Sequence, residues 1–293
     1  MAWVSNTQGS SQFNSVAYAN GYWVSVGVGG TLRYRATDPT GAWTSNTQGA
    51  TDFTSVAFGN GYWAATPTFL YKATDPTGAW TSNNPGGSPR ALAYGNGYWV
   101  TVDVSGTLFY RATDPTGAWT SNNQGSGTFN SVAYDNGYWV AVGNGGVLWY
   151  KATDPTGAWT SNTQGSADFN SVAYGNGYWV AVGGAGALYR KATDPTGAWT
   201  SNAQGSTDWG GVAYGSPYWT TVGASGRIRW TTDPTTAWTL NTQGSETLQG
   251  VAYGNGYWVT VGTNGALYYG TNPTEAWSDA PEKLVLVTSP NRW

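Results

Sequence analysis

One eleven-residue stretch recurs along almost the whole chain. ATDPTGAWTSN appears five times without change, at residues 36–46, 73–83, 112–122, 152–162 and 192–202 of 293. Looser copies begin at Thr231 and Gly270, and a partial copy surrounds Trp3. The tryptophans of the seven full copies stand 37 to 40 residues apart. Because self-similarity at a period of roughly 20 to 50 residues is the signature of a repeat architecture, we expect seven copies of one small structural unit.

One complete repeat, residues 169–202, reads as four short strands. FNSVAY and YWVAV are apolar, β-favouring runs, and Asn-Gly between them is a strong signal for a tight hairpin. ALYRKAT follows a glycine-rich turn, and DPTGA then leads into WTSN. Glycine and proline interrupt the chain too often for amphipathic helices. Since four-stranded units of about 40 residues are typical of propeller blades, we predict an all-β, seven-bladed β-propeller with four antiparallel strands per blade. An open β-solenoid is the alternative.

The two ends of the chain compete for one place in such a ring. AWVSNTQ at the N-terminus is a fourth strand without its own first three, whereas the last repeat ends in the degenerate NPTEAWSDAP. We therefore predict that Trp3 to Gln8 forms the outer strand of the seventh blade, beside Tyr268. The propeller then covers residues 1–277 and leaves 278–293 as a tail. Its LVLVT run (284–288) has strand character, and we expect it either to add to another protein chain or to fold back along the propeller.

The repeated stretch resembles a known motif. Asp38 and Trp43 have the spacing of the Asp-box, Ser/Thr-x-Asp-x-Gly-x-Thr-Trp/Phe, although Ala36 replaces the Ser/Thr and Gly41 stands one place late. The chain is thus similar to Asp-box (BNR, sialidase-like) propellers, in non-catalytic forms of the kind found in phage virion and lectin-like proteins. The resemblance implies that the box is a structural turn between the third and fourth strands, remote from the ligand. The residues so assigned are Asp38, Trp43, Asp75, Trp80, Asp114, Trp119, Asp154, Trp159, Asp194, Trp199, Asp233 and Trp238.

A cation stands three residues before the box aspartate in the first five repeats. These cations are Arg35, Lys72, Arg111, Lys151 and Lys191. We expect each to pair with the carboxylate of its own blade, where an exposed ion pair contributes under about 1 kcal/mol. The alternative is a ring of cations that binds an anionic ligand.

The composition is unfavourable for catalysis. The chain has no cysteine and no histidine, so thiolates, the commonest general base and the commonest metal ligand are missing. Sialidase-type chemistry would need an arginine cluster and a Tyr–Glu nucleophile pair, but the only glutamates are Glu246, Glu275 and Glu282. The net charge of −3 gives no basic surface for nucleic acid, and no run is long enough to span a membrane. We expect a protein that is not an enzyme and has no metal or cofactor.

The repeats differ mainly on one face of the expected propeller. The turns between strands one and two and the boxes share a nearly constant face, whereas the turns between strands two and three and the blade-to-blade connections share a variable one. Such variation is expected of a recognition surface and equally of neutral drift. Trp209 stands where most repeats have phenylalanine, and we interpret it either as an aromatic platform for a glycan or as a core residue of its blade. The candidate ligand-binding residues are Arg90, Asp103, Asn144, Trp209, Arg227 and Asn264.

Several non-catalytic functions fit these observations. The first hypothesis is a surface-exposed virion component, such as a phage tail or capsid decoration, that recognises glycans of the host surface. The alternatives are a secreted or cytoplasmic multivalent lectin-like propeller, and a consensus or designed propeller without a ligand. Expected partners are glycans or the host cell surface, and other virion proteins or a second copy through the tail. No signal peptide is visible, and the expected location is a virion surface or the extracellular space.

Overall fold

The computed structural model describes residues 3–125 and 127–275. Within them the chain forms seven four-stranded antiparallel sheets. The first strands of successive sheets pack against one another all the way round, the seventh against the first included, so the sheets are blades around a central channel. The predicted seven-bladed, all-β propeller is confirmed. The last box tryptophan, Trp277, and the 278–293 tail lie outside the described residues, and so does the expectation that 284–288 adds to another chain.

The strands of the first four blades have the following bounds. Blade 1 contains β2 (Phe13–Ala19), β3 (Tyr22–Gly27), β4 (Leu32–Ala36) and β5 (Thr44–Ser45). Blade 2 contains β6 (Ser55–Gly59), β7 (Tyr62–Thr66), β8 (Leu70–Ala73) and β9 (Thr81–Ser82). Blade 3 contains β10 (Pro89–Gly95), β11 (Tyr98–Asp103), β12 (Thr107–Ala112) and β13 (Thr120–Asn123). Blade 4 contains β14 (Phe129–Asp135), β15 (Tyr138–Gly143), β16 (Leu148–Ala152) and β17 (Thr160–Ser161).

The remaining blades follow the same order, except that the N-terminus completes the last. Blade 5 contains β18 (Phe169–Gly175), β19 (Tyr178–Gly183), β20 (Leu188–Ala192) and β21 (Thr200–Ser201). Blade 6 contains β22 (Trp209–Gly215), β23 (Tyr218–Gly223), β24 (Arg227–Thr231) and β25 (Thr239–Thr242). Blade 7 contains β26 (Leu248–Gly254), β27 (Tyr257–Gly262), β28 (Leu267–Gly270) and β1 (Val4–Ser5). Short 3-10 turns lie at Asn144–Gly146, Gly184–Gly186, Ala224–Gly226 and Thr263–Gly265.

The hydrophobic core lies between blades rather than inside them. Trp179, from the GYW segment of blade 5, is fully buried, and its ring centroid lies 5.1 Å from that of Tyr174. It belongs to one cluster with Val140 and Val142 of blade 4 and the box residue Trp199. Each sheet therefore buries both of its faces against neighbours, which is why the inner strands are apolar without strict alternation.

The N-terminal segment closes the ring as predicted. β1 pairs antiparallel with β28, with Ser5 opposite Tyr268, and Trp3 is fully buried beside them. The segment continues onto blade 1, where the Asn6 amide donates to the Pro39 carbonyl at 2.9 Å. One short piece of chain therefore joins the last blade to the first.

Each box is a joint between neighbouring blades. The Asp38 carboxylate accepts hydrogen bonds from the Thr40 amide, at 3.0 Å, and from the Thr40 hydroxyl. The indole of Trp43 donates to the Pro39 carbonyl at 3.1 Å, and its amide donates to the Gln8 side chain of blade 7 at 3.0 Å. Because every SN-x-Q segment can hold the box of the following blade in this way, the repeated stretch has a structural reason to stay uniform.

The cation beside the box contributes less than the threonine. The Thr40 hydroxyl is the main cause that lowers the pKa of Asp38, and Arg35 adds a smaller effect in the same direction. An Arg35 guanidinium nitrogen lies 3.8 Å from the Asp38 carboxylate. In blade 3, by contrast, Arg111 donates at 3.1 Å to a box carbonyl, that of Ala118. The expected ion pair is thus present in blade 1, and the arginines of blades 1 and 3 also bond backbone carbonyls of the turn.

Candidate ligand site at the channel mouth

The inner strand of most blades contains a β-bulge near its start. In blade 5, Phe169 pairs with Gly183 and Ser171 with Val182, which leaves Asn170 as the extra residue. A bulge redirects a side chain, and such bulges are common beside functional sites. Thr54 holds the equivalent place just before β6 of blade 2. The bulge residues of the other six blades are Asn14, Arg90, Asn130, Asn170, Gly210 and Gln249.

These seven residues, together with Gln12, line a cavity at one end of the central channel. We call them the mouth ring. The cavity has a volume of about 400 Å³, within the size of small-ligand sites, and it opens on the face that carries the blade-to-blade connections. A narrower space of about 160 Å³ continues below it, lined by small residues such as Ser15 and Gly211 and by valines such as Val212. The channel therefore has a wide polar entrance above a narrower neck.

The asparagines of the mouth ring are fixed by the neighbouring blade. Asn14 donates to the Phe53 carbonyl at 2.6 Å, and Asn170 donates to the Trp209 carbonyl at 2.9 Å. Asn130 does the same to Phe169 at 2.8 Å. These amides are held in place by bonds between blades, so the ring is a preformed polar rim.

Arg90 is the ionisable residue of this cavity. The other lining residues are amides, a threonine and a glycine. Arg90 is exposed, and within residues 3–125 and 127–275 its guanidinium makes no hydrogen bond or ion pair. The cavity contains no aromatic side chain among its lining residues. The entrance is therefore a neutral amide rim with one uncompensated positive charge.

Two of the other predicted ligand residues are buried. Asp103 is 2% exposed, and its carboxylate accepts the Ser105 amide at 2.8 Å and the Thr107 amide at 2.9 Å. It thus caps its own turn between β11 and β12. Trp209 is fully buried in the core between blades 5 and 6, with the Arg229 guanidinium 5.8 Å from its ring centroid. Its ring is not available as a platform for a ligand.

The remaining predicted residues are exposed on the variable face. Asn144 accepts a hydrogen bond of 2.7 Å from the mouth-ring residue Asn130. Arg227 donates to the Thr207 hydroxyl. Asn264 occupies a turn position with a left-handed φ of 55°. Of the six candidates, the structure therefore brings Arg90 into the cavity and Asn144 to its rim, while the other four lie away from its described lining.

Sequence reasoning missed most of the mouth ring. The signal was present in the residue that follows the aromatic residue, proline or leucine at the start of each inner-strand segment, because that residue changes from repeat to repeat. The pairs at that place read FN, FT, PR, FN, FN, WG and LQ. What the sequence did not reveal is the bulge, since the bulge brings these residues together at the channel entrance.

The chain does contain a Tyr–Glu contact, but its chemistry is unsuitable for a nucleophile. The Tyr268 hydroxyl donates to the Glu246 carboxylate at 3.0 Å. Burial and the neighbouring carboxylate raise the pKa of Tyr268 to about 12, which disfavours the phenolate. Tyr268 packs in the core between blades 6 and 7, and neither residue of the pair lines the described cavity. Among the described residues there is also no group of three or more metal-binding side chains, and no helix that could span a membrane.

The fold and this entrance define the chain as a seven-bladed β-propeller with a polar channel mouth. It is similar to YCF48 bound to a D1 peptide, at 18% identity over 93% of this chain and 96% of that one, with a TM-score of 0.75. YCF48 from Cyanidioschyzon merolae shares 14% identity over 92% and 98% of the two chains, with a TM-score of 0.72. The computationally designed Ika8 protein shares 14% identity over 90% and 98%, with a TM-score of 0.66.

No family model matches the sequence, and no curated protein does. At such low identities the structural likeness shows the fold alone.

Proposed function

We propose that this chain is a non-enzymatic binding propeller that holds a peptide segment of another protein at the mouth ring. The observation that supports this proposal is the cavity of about 400 Å³ rimmed by fixed amides. A side-chain amide can donate and accept hydrogen bonds at once, which matches the alternating N–H and C=O groups of an extended peptide. The rim offers no pair of carboxylates and no base, which are the groups that hydrolytic chemistry needs.

A peptide fits the entrance better than a glycan does. The glycan hypothesis offered Trp209 as its aromatic platform beside asparagine contacts, and that ring is fully buried. One propeller of this fold is known bound to a peptide, as the YCF48 structure states of that protein. Recognition of host glycans on a virion surface remains the second candidate, because asparagine and glutamine amides also bond sugar hydroxyls.

The proposal is tested by probing one purified protein on a random-peptide array and on a glycan array. A second protein carries Thr54→Trp. Thr54 lines the cavity, with its hydroxyl 3.0 Å from that of Thr66, and we expect a tryptophan at this position to fill the cavity. The control carries Ala158→Trp, at an exposed box position on the opposite face. We expect peptide signals that Thr54→Trp abolishes and Ala158→Trp preserves. Signals from glycans alone, or peptide signals that Thr54→Trp leaves intact, would contradict the proposal.

A further inference from the structure

We infer that the ligand of the mouth ring presents a carboxylate to Arg90, so that the partner is a peptide that carries a carboxylate group at this place. This inference rests on the proposed function and adds the chemical class of the bound segment. The first observation is the charge itself. Arg90 stands exposed in a cavity whose other lining side chains are neutral, and it has no anionic partner among the described residues.

The chemistry of arginine identifies the complementary group. A guanidinium presents its N–H donors in a rigid planar fork that matches a carboxylate through two parallel hydrogen bonds. In three other blades this bulge position holds a neutral amide that donates a hydrogen bond to the next blade. These residues are Asn14, Asn130 and Asn170. An arginine at the same place is therefore not required by the fold. It leaves a cation at the entrance that a bound carboxylate would neutralise.

The far side of the ring leaves room for the rest of the ligand. Gly210 belongs to blade 6, three blades away from blade 3 and hence across the channel from Arg90. A Cβ at Gly210 would lie 2.8 Å from the Leu248 carbonyl oxygen and 3.0 Å from that of Gln249, so a side chain at this position would require the backbone to move. The ring thus carries its charge at blade 3 and lacks a side chain at blade 6, between Asn170 and Gln249. A segment anchored at Arg90 can extend towards Gly210.

A carboxylate in a peptide has two sources, which are the side chain of Asp or Glu and the free C-terminus. Both offer the same planar group to Arg90. The experiment therefore uses an array on which each random peptide is printed twice, once with a free and once with an amidated C-terminus. Signals that survive amidation and require Asp or Glu indicate a side chain, and signals lost on amidation indicate the terminus.

The array is probed with the wild-type chain and with two variants. Arg90→Asn installs the residue that three other blades carry at this bulge, so we expect it to fold with an unchanged Tm. Arg227→Asn removes an exposed arginine that lies on the same face outside the cavity. We expect the wild type to select carboxylate-bearing peptides. Arg90→Asn should weaken their binding about tenfold or more, while Arg227→Asn leaves it unchanged.

Three results would overturn the inference. If peptides without any carboxylate bind equally well and Arg90→Asn changes nothing, the carboxylate inference fails while the peptide-binding function stands. If both arginine variants weaken binding equally, the effect is one of general charge, and Arg90 has no special role. If no peptide binds at the mouth ring, the proposed function fails together with the inference.

Discussion

At the scale of single residues, some glycines are required by contacts across blades. Gly186 ends the turn between β19 and β20 with a left-handed φ of 76°, and a Cβ there would lie 1.9 Å from the Gly205 carbonyl oxygen. That oxygen belongs to the backbone of the connection and cannot rotate away. Ala185, one residue earlier, is also left-handed, with a φ of 51°, yet it carries a side chain. The two positions therefore differ in the space available to a side chain and not in backbone conformation.

We predict that Gly186→Ala destabilises the protein by about 3 kcal/mol or more, because it adds both a steric clash and a strained φ. The matched control is Gly145→Asn in blade 4. Gly145 has a φ of 66° and open space around its Cβ direction, and Asn264 already occupies the corresponding place in blade 7. Urea unfolding followed by tryptophan fluorescence measures both changes. Equal effects of the two substitutions would show that φ alone determines the cost.

The end of the second strand in blade 3 is an exception that the sequence reveals but does not explain. Gly183 closes β19 because a Cβ there would lie 1.8 Å from the Asp168 carbonyl oxygen. Blade 3 has Asp103 at this place, and its connection takes a different course through Gly87 and Pro89. The sequence marks Asp103 as unusual and therefore as a ligand candidate. Only the structure shows that its carboxylate bonds its own turn.

At the scale of elements, the N-terminal segment holds the ring closed. It buries Trp3, pairs β1 with β28, and reaches blade 1 through Asn6 and Gln8. Besides local hydrogen bonds such as the one from Gln8 to Asn6, it contacts residues distant in sequence, and these contacts hold together the two ends of the repeat array. Loss of the segment would expose the edge of β28 and the side of the blade 7 core.

We predict that deletion of residues 1–8 lowers the Tm by more than about 10 °C, because closure of the ring is lost along with a buried tryptophan. A synthetic peptide with the sequence of residues 1–10 should restore the Tm when added in excess, because binding to the folded state stabilises it by mass action. The same peptide with Trp3→Ala serves as the control. Thermal scanning of the truncated protein with each peptide gives the answer. Full stability without residues 1–8 would refute the closing role.

The joints between blades are not equivalent. The box amides of Trp43, Trp80, Trp159 and Trp199 each donate to a glutamine of the preceding blade, at 2.9 to 3.0 Å, and that of Trp238 does so at 3.4 Å. Pro85 stands where blade 2 would supply that glutamine, so Trp119 of blade 3 has no such partner. Trp119 is also the least deeply buried of these six box tryptophans.

We predict that the amide of Trp119 exchanges with solvent faster than those of the five glutamine-bonded tryptophans, since local opening is easiest where the joint lacks a hydrogen bond. Hydrogen–deuterium exchange at single-amide resolution tests this order. Gln164→Ala provides the matched control, because it should bring the exchange of Trp199 close to that of Trp119. Slower exchange at Trp119 than at Trp199 in the wild type would contradict the prediction.

At the scale of the whole molecule, the fold could be predicted because it follows from the period. The regular tryptophans, the Asn-Gly hairpins and the surplus N-terminal strand together specify blade number, strand order and closure. The candidate site could not be predicted as a whole, because it exists only where seven inner strands meet. Arg90 stood out by its charge, whereas Asn14, Thr54 and Gln249 are ordinary polar residues until the bulges bring them to one entrance.

The stability of the whole ring should depend on pH mainly in acid. Hydrogen bonds from threonine are the largest cause that lowers the pKa of each of the six box aspartates. A carboxyl group whose pKa is lower in the folded than in the unfolded chain stabilises the protein at pH values above its pKa in the unfolded chain, near 3.9. This contribution is lost as the pH falls through the folded value. The chain has no histidine, so it lacks the residue that usually titrates between about pH 5 and 8.

We therefore predict a Tm that is constant from about pH 5 to 8 and falls steeply below about pH 4, as the six box aspartates lose their ionised carboxylates over the same range. Thr196→Val, which removes the main hydrogen bond to Asp194, should lower the Tm at neutral pH and make the acid decline shallower. Thr196→Ser keeps the hydroxyl and is the control. Thermal melts across this range, with carbon NMR titration of the aspartate carboxyls, provide the measurement. A Tm that already declines between pH 7 and 5, or box carboxyls that titrate above about 3.9, would show that these hydrogen bonds do not cause the pH dependence of the stability.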